Sequence, residues 1–378
     1  MQQPQPRMEF LDSIRGLAAL AVLLGHSLIF VWPASVGRVI SWPFVNMIVD
    51  GHAAVLMFFV LSGFVLTRPY FLEVAGQPPR QMHVPTFYLR RFTRIWMPWL
   101  AVFGLSALAQ VTIFHPWKTI PPLNSWYGWF WQAPLTWKNF FLQCVFRQHA
   151  ADVQLMVQDW SLGVELKASA LLPCLIYAAR KFTPWSLLVI SGLLVIWLPT
   201  GHYYTAFIFG VWLAHGAEGV VRRLKPRPLS DKIGLLVAGL LLYEASHFFT
   251  ETLGWRIGSK YPLLATGMGC ALILLASLSS RRIQAVLNLS PLVFLGKISY
   301  SVYLLQFIII LCLLPPWIHC LNLIGMEKPV WLLPLSLIFS VGVTVGLSAL
   351  SYRYIETPCI ELGQWLSKKR WATCFKKS

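Results

Sequence analysis

The sequence predicts an all-α integral membrane protein, a bundle of about ten transmembrane helices with both termini in the cytosol. The first reason is composition. Of the 378 residues, 57% are hydrophobic and 12% are charged, and the mean hydropathy is +0.62, whereas a soluble domain carries about 25% charged residues. The second reason is the length of the apolar runs, and the third is the distribution of Lys and Arg between them.

A helix needs about 20 mostly apolar residues to cross the hydrocarbon core of a bilayer. Ten candidate runs lie between charged or Pro- and Gly-rich breaks. They extend approximately over residues 13–32, 44–66, 95–114, 160–179, 185–198, 203–216, 233–249, 261–277, 291–314 and 330–352. The fifth and sixth runs are the shortest, and the remaining eight are close to the length of a full span.

Positive charge alternates between the segments that join these runs. With the N-terminus in the cytosol, the cytosolic segments hold 21 of the 31 Lys and Arg residues, the outside segments hold 7 and the spans hold 3. Cytosolic loops accumulate Lys and Arg, so this distribution favours an even number of spans and two cytosolic termini. We therefore predict one membrane module over residues 1–366 and a basic cytosolic tail over residues 367–378.

Charge and cysteine content argue against several other classes of protein. The net charge of +17 does not indicate nucleic-acid binding, because the basic residues lie between apolar runs and not on a soluble domain. The seven Cys residues have neither metal-ligand nor paired-thiol spacing, so we expect no metal site. A cleaved signal peptide is the alternative interpretation of the first run, but Arg15 and His26 within it argue against that.

Ionisable side chains inside a span are costly and mark a functional site by default. Arg15 and His26 of the first run are eleven residues apart, which is three helical turns plus about 20°, so both lie on one face. They are separated by about 16 Å along the helix axis. His26 has a side chain suited to a general base. The alternative interpretation is a structural imidazole bonded to a neighbouring helix.

Two more charged sites lie at the ends of predicted spans. Arg90 and Arg94 share a helical face at the cytosolic start of the third span, with Arg91 beside them. This cluster suits the phosphates of a nucleotide-bearing ligand, and lipid phosphates are the alternative. Glu165 of the fourth span either orients a ligand or pairs with a cation. Lys297 lies at the cytosolic end of a polar stretch in the ninth span, where it suits phosphate groups.

Tryptophan residues crowd the predicted outside segment 115–159. They are Trp117, Trp126, Trp129, Trp131 and Trp137. The amphipathic indole ring is typical of a membrane interface. Its flat face also stacks on sugar rings, so a platform for a carbohydrate is the second interpretation.

Six motifs follow one another along most of the chain. They are Phe10–Gly16 with His26; Phe58–Phe64; Arg90, Arg91 and Arg94 with Pro98; Trp160–Leu162 with Glu165; Leu295–Leu304; and Tyr354–Pro358. In this combination the chain resembles acyltransferase family 3. These are membrane O-acyltransferases that acetylate lipopolysaccharide O-antigen, exopolysaccharides, peptidoglycan and some macrolides.

The resemblance implies ten core helices in the cell (inner) membrane, an acyl-CoA donor substrate, most often acetyl-CoA, and no permanently bound cofactor. It implies that Arg15 and His26 are the essential pair and that the Arg90 cluster serves the donor. The acceptor is then a hydroxyl of an envelope or extracytoplasmic glycan. His26 either activates that hydroxyl or carries the acyl group briefly. Membrane lipid surrounds the module, and a nucleic-acid partner is not expected.

The chain departs from the family pattern at two places. Gln306 stands where the family often has His, and Lys167, Ala168 and Ser169 follow Glu165 where aromatic residues are common.

Two rival classes of protein use the same intramembrane charges. One is an exporter or flippase of a polar or lipid-linked molecule, in which the charges line a pathway. The other is a structural or sensory membrane protein.

Overall fold

The computed structural model describes residues 8–31, 42–73, 78–114, 128–147, 153–255 and 259–374. Within these ranges the chain forms helices and turns and no strand, which confirms the predicted all-α fold class. The elements are long apolar helices, together with several shorter helices near the ends of the long ones. This is the architecture of a multi-pass membrane protein.

The described helices are numbered in chain order. They are α1 (Glu9–Val31), α2 (Pro43–Val49), α3 (Gly51–Phe71), α4 (Val84–Thr112), α5 (Trp137–Cys144), α6 (Asp159–Lys181), α7 (Trp185–Trp197), α8 (Gly201–Leu224), α9 (Leu229–Tyr243), α10 (Ala245–Leu253), α11 (Lys260–Ser279), α12 (Arg281–Leu287), α13 (Ser290–Cys312), α14 (Leu314–Leu323) and α15 (Pro329–Ser351). A π-helical turn, Tyr352–Glu356, joins α15 to α16 (Thr357–Cys374).

Seven helical segments of the described chain are long and apolar enough to cross a membrane. They are α1, α3, α4, α6, α11, α13 and the continuous stretch Pro329–Lys368, and the bent pair α9 and α10 makes up to eight. The fifth and sixth predicted spans correspond to α7 and α8. Helix α7 has 13 residues, a length of about 20 Å against a hydrocarbon core of about 30 Å. A count of ten spans stays a prediction.

Two predicted spans are interrupted by acidic residues. Asp50 divides the second predicted run into α2 and α3, because its side chain accepts a hydrogen bond from the Ala53 N–H at 2.9 Å and caps α3. Glu244 divides the seventh run into α9 and α10, which meet at an angle of 47°. Asn46 of α2 donates to Glu244 Oε2 at 3.1 Å, which gives the buried carboxyl a partner at the break.

The chain divides into two compact units, and the division falls inside three helices. The first unit comprises residues 1–21, 40–83 and 167–297, and the second comprises residues 22–39, 84–166 and 298–378. Helices α1, α6 and α13 therefore contribute one part to each unit. The predicted boundary at residue 366 is not one of these divisions; α16 runs through it, and the separate basic tail stays a prediction.

In the first unit, α3 and α8 pack with their backbones in contact. A Cβ atom at Gly63 would collide with the carbonyl of Phe207, and one at Gly210 would collide with the carbonyl of Val60. Small residues at such crossings let membrane helices approach closely, where van der Waals contact holds them together. The glycine of the Phe58–Phe64 motif is therefore required by helix packing.

In the second unit, α16 packs along α4. Gly363 of α16 lies against the Thr93 side chain of α4, so that a Cβ atom at this glycine would overlap the threonine hydroxyl. The π-helical turn before α16 places Glu356 in a buried position with 4% exposure. Single π-turns occur mostly at functional sites, because the extra residue redirects side chains.

Candidate functional site

Helix α1 carries both polar residues of the first motif in one continuous helix. Arg15 and His26 therefore have the helical spacing that the sequence predicts, which places them on one face of α1. Arg15 Nη1 lies 3.1 Å from Asp12 Oδ1, one turn earlier, and both side chains are largely buried. The carboxylate compensates the arginine charge inside an apolar helix. Arg15 belongs to the first unit, and His26 belongs to the second.

A close crossing of α1 and α13 holds the Arg15 end of α1 in place. A Cβ atom at Gly16 would lie 2.6 Å from the backbone nitrogen of Gly296, and one at Gly296 would collide with the Asp12 backbone. Both glycines come from motifs of the family resemblance. Their role is to bring the two backbones together, and this fixes Asp12 and Arg15 against the start of α13.

His26 contacts an amide of α13 in the second unit. Its Nδ1 lies 3.3 Å from Oε1 of Gln306, which is fully buried. The imidazole is half-buried and meets the Phe307 ring edge to face at 6.3 Å between centroids. Gln306 was the position at which the chain departs from the family pattern, and it proves to be the partner of the predicted base.

A face of buried hydroxyls on α15 contacts α1 at Ser27, the residue that follows His26. Ser27 and Ser340 bond through their hydroxyls at 2.7 Å. Ser336, Thr344 and Ser348 repeat at four-residue intervals on the same face as Ser340 and are at most 1% exposed. Small residues of this kind let helices pack closely. The hydroxyls of Ser336, Thr344 and Ser348 are buried without a hydrogen-bond partner among the described residues.

The arginine cluster on α4 is divided between two faces. Arg90 and Arg94 are on the exposed face, and Arg90 donates through Nε and Nη2 to the Ser367 hydroxyl of α16 at 3.1 and 3.0 Å. Arg91 points to the other side, where its Nη2 lies 2.7 Å from Glu165 Oε1. Glu165 thus has a cation partner, Arg91 of another helix, and its role in orienting a ligand stays a prediction.

A polar network runs from the start of α6 to the centre of α13. Gln158 Nε2 donates to the carbonyls of Tyr303 and Leu304 at 3.1 and 2.9 Å. The Ser161 hydroxyl meets the Tyr303 hydroxyl at 2.5 Å. Gln306 donates to the same Tyr303 carbonyl at 3.0 Å. The Trp160–Leu162 motif is therefore linked to the residue that contacts His26.

The second unit also contains two buried carboxyl groups. Asp159 accepts a bond from Trp99 Nε1 at 2.6 Å, and its Oδ2 is buried without a hydrogen-bond partner among the described residues. Glu356 accepts from the Ser301 hydroxyl at 3.0 Å. Buried carboxyl groups in a membrane protein are rare and usually functional.

The two predicted lysines do not join these networks. Lys297 is exposed and belongs to the first unit, together with Arg15. Lys167 is also exposed, although it follows Glu165 by two positions. The second unit thus brings together His26 with Gln306 and Arg91 with Glu165.

Sequence reasoning missed Gln158 and Asp159 and treated Gln306 only as a departure. A signal was available for the first two, because they are polar residues directly before an apolar run that begins with Trp160. Their partners lie more than 140 residues away for Gln158 and 60 away for Asp159. Pairing over such separations is decided by helix packing.

A cysteine near this network is a poor nucleophile. Cys144 ends α5, outside the predicted spans, and Trp96 Nε1 donates to its carbonyl at 3.3 Å. Burial raises the pKa of the Cys144 thiol, and the Asp159 carboxylate raises it further. Because the thiolate is the reactive form, this thiol does not suit the role of acyl carrier.

The tryptophans of the outside segment have different surroundings. Trp131 is buried, and its Nε1 donates to the Leu155 carbonyl at 3.2 Å, whereas Trp129 and Trp137 are 59% and 78% exposed. Trp117 and Trp126 lie outside the described residues. The exposed rings fit both interpretations, an interfacial belt and a sugar platform, and Trp131 belongs to the packed interior.

Fold and site together define a multi-pass membrane protein with a histidine and several charged groups buried among its helices. The family model described as an acyltransferase domain matches residues 8–353. The chain therefore belongs to acyltransferase family 3.

One curated relative is the peptidoglycan O-acetyltransferase OatA of Listeria monocytogenes serovar 1/2a (strain ATCC BAA-679 / EGD-e). It is 25% identical over 376 residues, an alignment that covers 92% of this chain and 55% of the relative. The chain thus spans about half the length of this relative. No solved structure matches the chain.

Proposed function

We propose that the protein transfers an acyl group, in the first instance acetyl, from cytosolic acyl-CoA to a hydroxyl of an envelope or extracytoplasmic glycan. The observation that carries the proposal is the half-buried His26, held by Gln306, in a chain of the acyltransferase family. An imidazole titrates near neutral pH and accepts the proton that makes a hydroxyl nucleophilic. No tightly bound cofactor or metal ion enters this chemistry.

The transfer step balances without a further reactant. His26 takes the proton of the acceptor hydroxyl as the oxygen attacks the thioester carbonyl. The carbon–sulfur bond then breaks, and the CoA sulfur leaves with the proton that His26 returns. In the alternative route His26 attacks the thioester and holds the acyl group until the hydroxyl takes it. The two routes differ in whether an acyl-enzyme accumulates without acceptor.

The donor side of the proposal rests on exposed positive charge at the predicted cytosolic ends of helices. Arg90 and Arg94 present their guanidinium groups on one exposed face of α4. Lys297 is exposed at the start of α13. Guanidinium and ammonium groups bind phosphate well, so Arg90 and Arg94 of the second unit suit the phosphates of CoA. Lys297 of the first unit is proposed for the donor from the sequence alone. Arg91, the remaining arginine of the cluster, is paired with Glu165, and we propose that it supports the donor side through this ion pair.

The proposed glycan acceptor is supported by the name of a relative and by exposed aromatic rings. The relative from Listeria bears the name of a peptidoglycan O-acetyltransferase, and we extend a glycan acceptor from it to this chain. Exposed Trp129 and Trp137 offer flat apolar rings of the kind that stack on sugars. We assign Arg15, compensated by Asp12, to holding the donor.

A direct test supplies labelled acetyl-CoA to membranes that contain wild type or His26→Ala. We expect the variant to lose transfer to envelope glycan by at least about 100-fold, the usual contribution of a general base. His83→Ala, which removes an exposed imidazole before α4, is the matched control and should transfer at the wild-type rate. Undiminished transfer by His26→Ala would contradict the assignment.

A second candidate function is export or flipping of a polar or lipid-linked molecule. The bent pair α9 and α10 favours it, because transporters bind substrates at broken helices and Glu244 lies buried at this break. Flux of a lipid-linked sugar in proteoliposomes without consumption of CoA would support the transporter. Acetyl transfer without flux would support the enzyme.

A further inference from the structure

We propose that Gln306 is a positioning residue that fixes His26 in the tautomer protonated on Nδ1, so that Nε2 is the nitrogen that reacts. The proposal rests on the proposed function for the step that Nε2 performs. The tautomer itself follows from the hydrogen bonds around Gln306 and holds whatever the acceptor is.

The orientation of the Gln306 amide is set by a backbone carbonyl. Its Nε2 donates to the Tyr303 carbonyl at 3.0 Å. The reverse orientation would place the amide oxygen against the carbonyl oxygen, two acceptors without a proton between them. Because Gln306 is fully buried, water cannot relieve that repulsion. The amide oxygen Oε1 is therefore the atom that faces His26.

An amide oxygen only accepts hydrogen bonds, so the ring nitrogen that faces it must carry a proton. That nitrogen is Nδ1, at 3.3 Å from Gln306 Oε1. In a neutral imidazole the other nitrogen, Nε2, then bears the lone pair. Nε2 is the atom that takes a proton or attacks a carbonyl. In serine hydrolases a carboxylate performs the same orienting task, whereas here the group is uncharged.

The carbonyl that orients Gln306 is itself held by other groups. Gln158 donates to the carbonyls of Tyr303 and Leu304, and the Tyr303 hydroxyl bonds to Ser161. Gln158 is 1% exposed and Ser161 is 4% exposed. The start of α6 thus determines, through α13, which nitrogen of a histidine on α1 is protonated. Residues behind a reacting group that fix its tautomer are typically worth about 10- to 100-fold in activity.

The test uses the full chain in lipid nanodiscs with [¹⁴C]acetyl-CoA as donor and an N-acetylglucosamine oligosaccharide as acceptor probe. Gln306→Leu keeps the volume of the side chain and removes its acceptor. We expect kcat to fall about 10- to 100-fold while KM for acetyl-CoA is unchanged. Gln306→Glu restores an acceptor towards Nδ1 and should recover most of the lost kcat.

A spectroscopic measurement separates positioning from a purely structural role. The ¹⁵N spectrum of histidine-labelled protein, with the His26 signals assigned by their loss in His26→Ala, should show protonated Nδ1 and unprotonated Nε2. In Gln306→Leu both tautomers should appear. Gln143→Leu is the matched control, because Gln143 is an equally buried glutamine whose amide, among the described residues, bonds to the backbone of Asn139, Val153 and Leu155. It should leave the His26 spectrum unchanged.

Two results would overturn the proposal: protonated Nε2 in the wild-type spectrum, or Gln306→Leu with wild-type kcat. The wild-type spectrum decides the matter even if the leucine variant does not fold. If wild type transfers no acetyl from acetyl-CoA but shows the Nδ1-protonated ring, the proposed function fails and the positioning role of Gln306 stands.

Discussion

At the scale of single residues, two largely buried arginines are paired with carboxylates within short reach. Asp12 compensates Arg15 on the same helix, and Glu165 compensates Arg91 across two helices. Pairing is required because an ionised group in an apolar medium loses the solvation that water gives it. The exposed arginines of α4, Arg90 and Arg94, are thus distinguished from Arg91 by environment, although all three share one short stretch of sequence.

The ion pair between Arg91 and Glu165 leads to a prediction on stability. The side chains are 11% and 18% exposed, so Glu165→Gln leaves a guanidinium largely buried without its counter-charge. We expect the free energy of unfolding to fall by about 3 kcal/mol. The double variant Arg91→Met with Glu165→Leu should recover most of that loss. Unfolding followed by tryptophan fluorescence in detergent measures both.

Arg90→Met, on the exposed face of α4, is the control for this pair and should change stability by less than about 0.5 kcal/mol. A double variant that folds and transfers acetyl at the wild-type rate would show that the pair is structural. A double variant that folds and loses transfer would support the assignment of Glu165 to the reaction.

At the scale of elements, glycines determine which helices approach. The crossing of α1 and α13 brings backbone against backbone at Gly16 and Gly296, and α3 meets α8 in the same way at Gly63 and Gly210. In a membrane the lipid is as apolar as the side chains, so close van der Waals contact is what favours association of helices. The motif glycines therefore act on packing, which in turn positions the polar residues beside them.

Gly16→Ala should be far more disruptive than the same change at an open site. The new methyl group would lie 2.6 Å from a backbone nitrogen of α13, and α1 and α13 would have to separate. Overpacking of this kind costs about 1–3 kcal/mol. Gly104→Ala on α4 is the matched control, because nothing lies within 4 Å of its Cβ position. It should be neutral or slightly stabilising in a thermal unfolding assay.

At the scale of the whole molecule, α7 and α8 determine how many helices cross the membrane. The charge distribution favours ten, whereas seven segments of the described chain, or eight with the bent pair, have the required length and apolar character. Helices α7 and α8 account for the difference. Helix α7 is about 20 Å long and needs a thinned bilayer or a neighbour to cross.

Reporter fusions test the two helices directly. With ten spans, alkaline phosphatase fused after Phe182 and after Lys225 should be inactive, because both sites are cytosolic, and phosphatase fused after Thr200 should be active outside. Fluorescent-protein fusions at the same sites should give the opposite pattern. Inactive phosphatase at all three sites would mean that α7 and α8 do not each cross, and the count would be eight.

Much of this protein was accessible from its sequence. Apolar runs of about 20 residues determined the fold class, since backbone hydrogen bonds must close within a helix wherever lipid replaces water. Helical periodicity placed Arg15 and His26 on one face, and the continuous α1 provides that register. Local sequence was less informative about breaks. Asp50 caps α3 within an apolar run, whereas Glu244 lies at the break between α9 and α10, makes no capping bond with its side chain and accepts from Asn46 of α2.

Only the tertiary structure decided which polar residues meet. His26 lies 280 positions from Gln306, Arg91 lies 74 from Glu165, and Gln158 lies 145 from Tyr303. A periodicity along one helix fixes a face but not the neighbour of that face. The neighbour depends on which helices pack closely. Gln306, which in the sequence is only a departure from the family pattern, is for this reason the partner of His26.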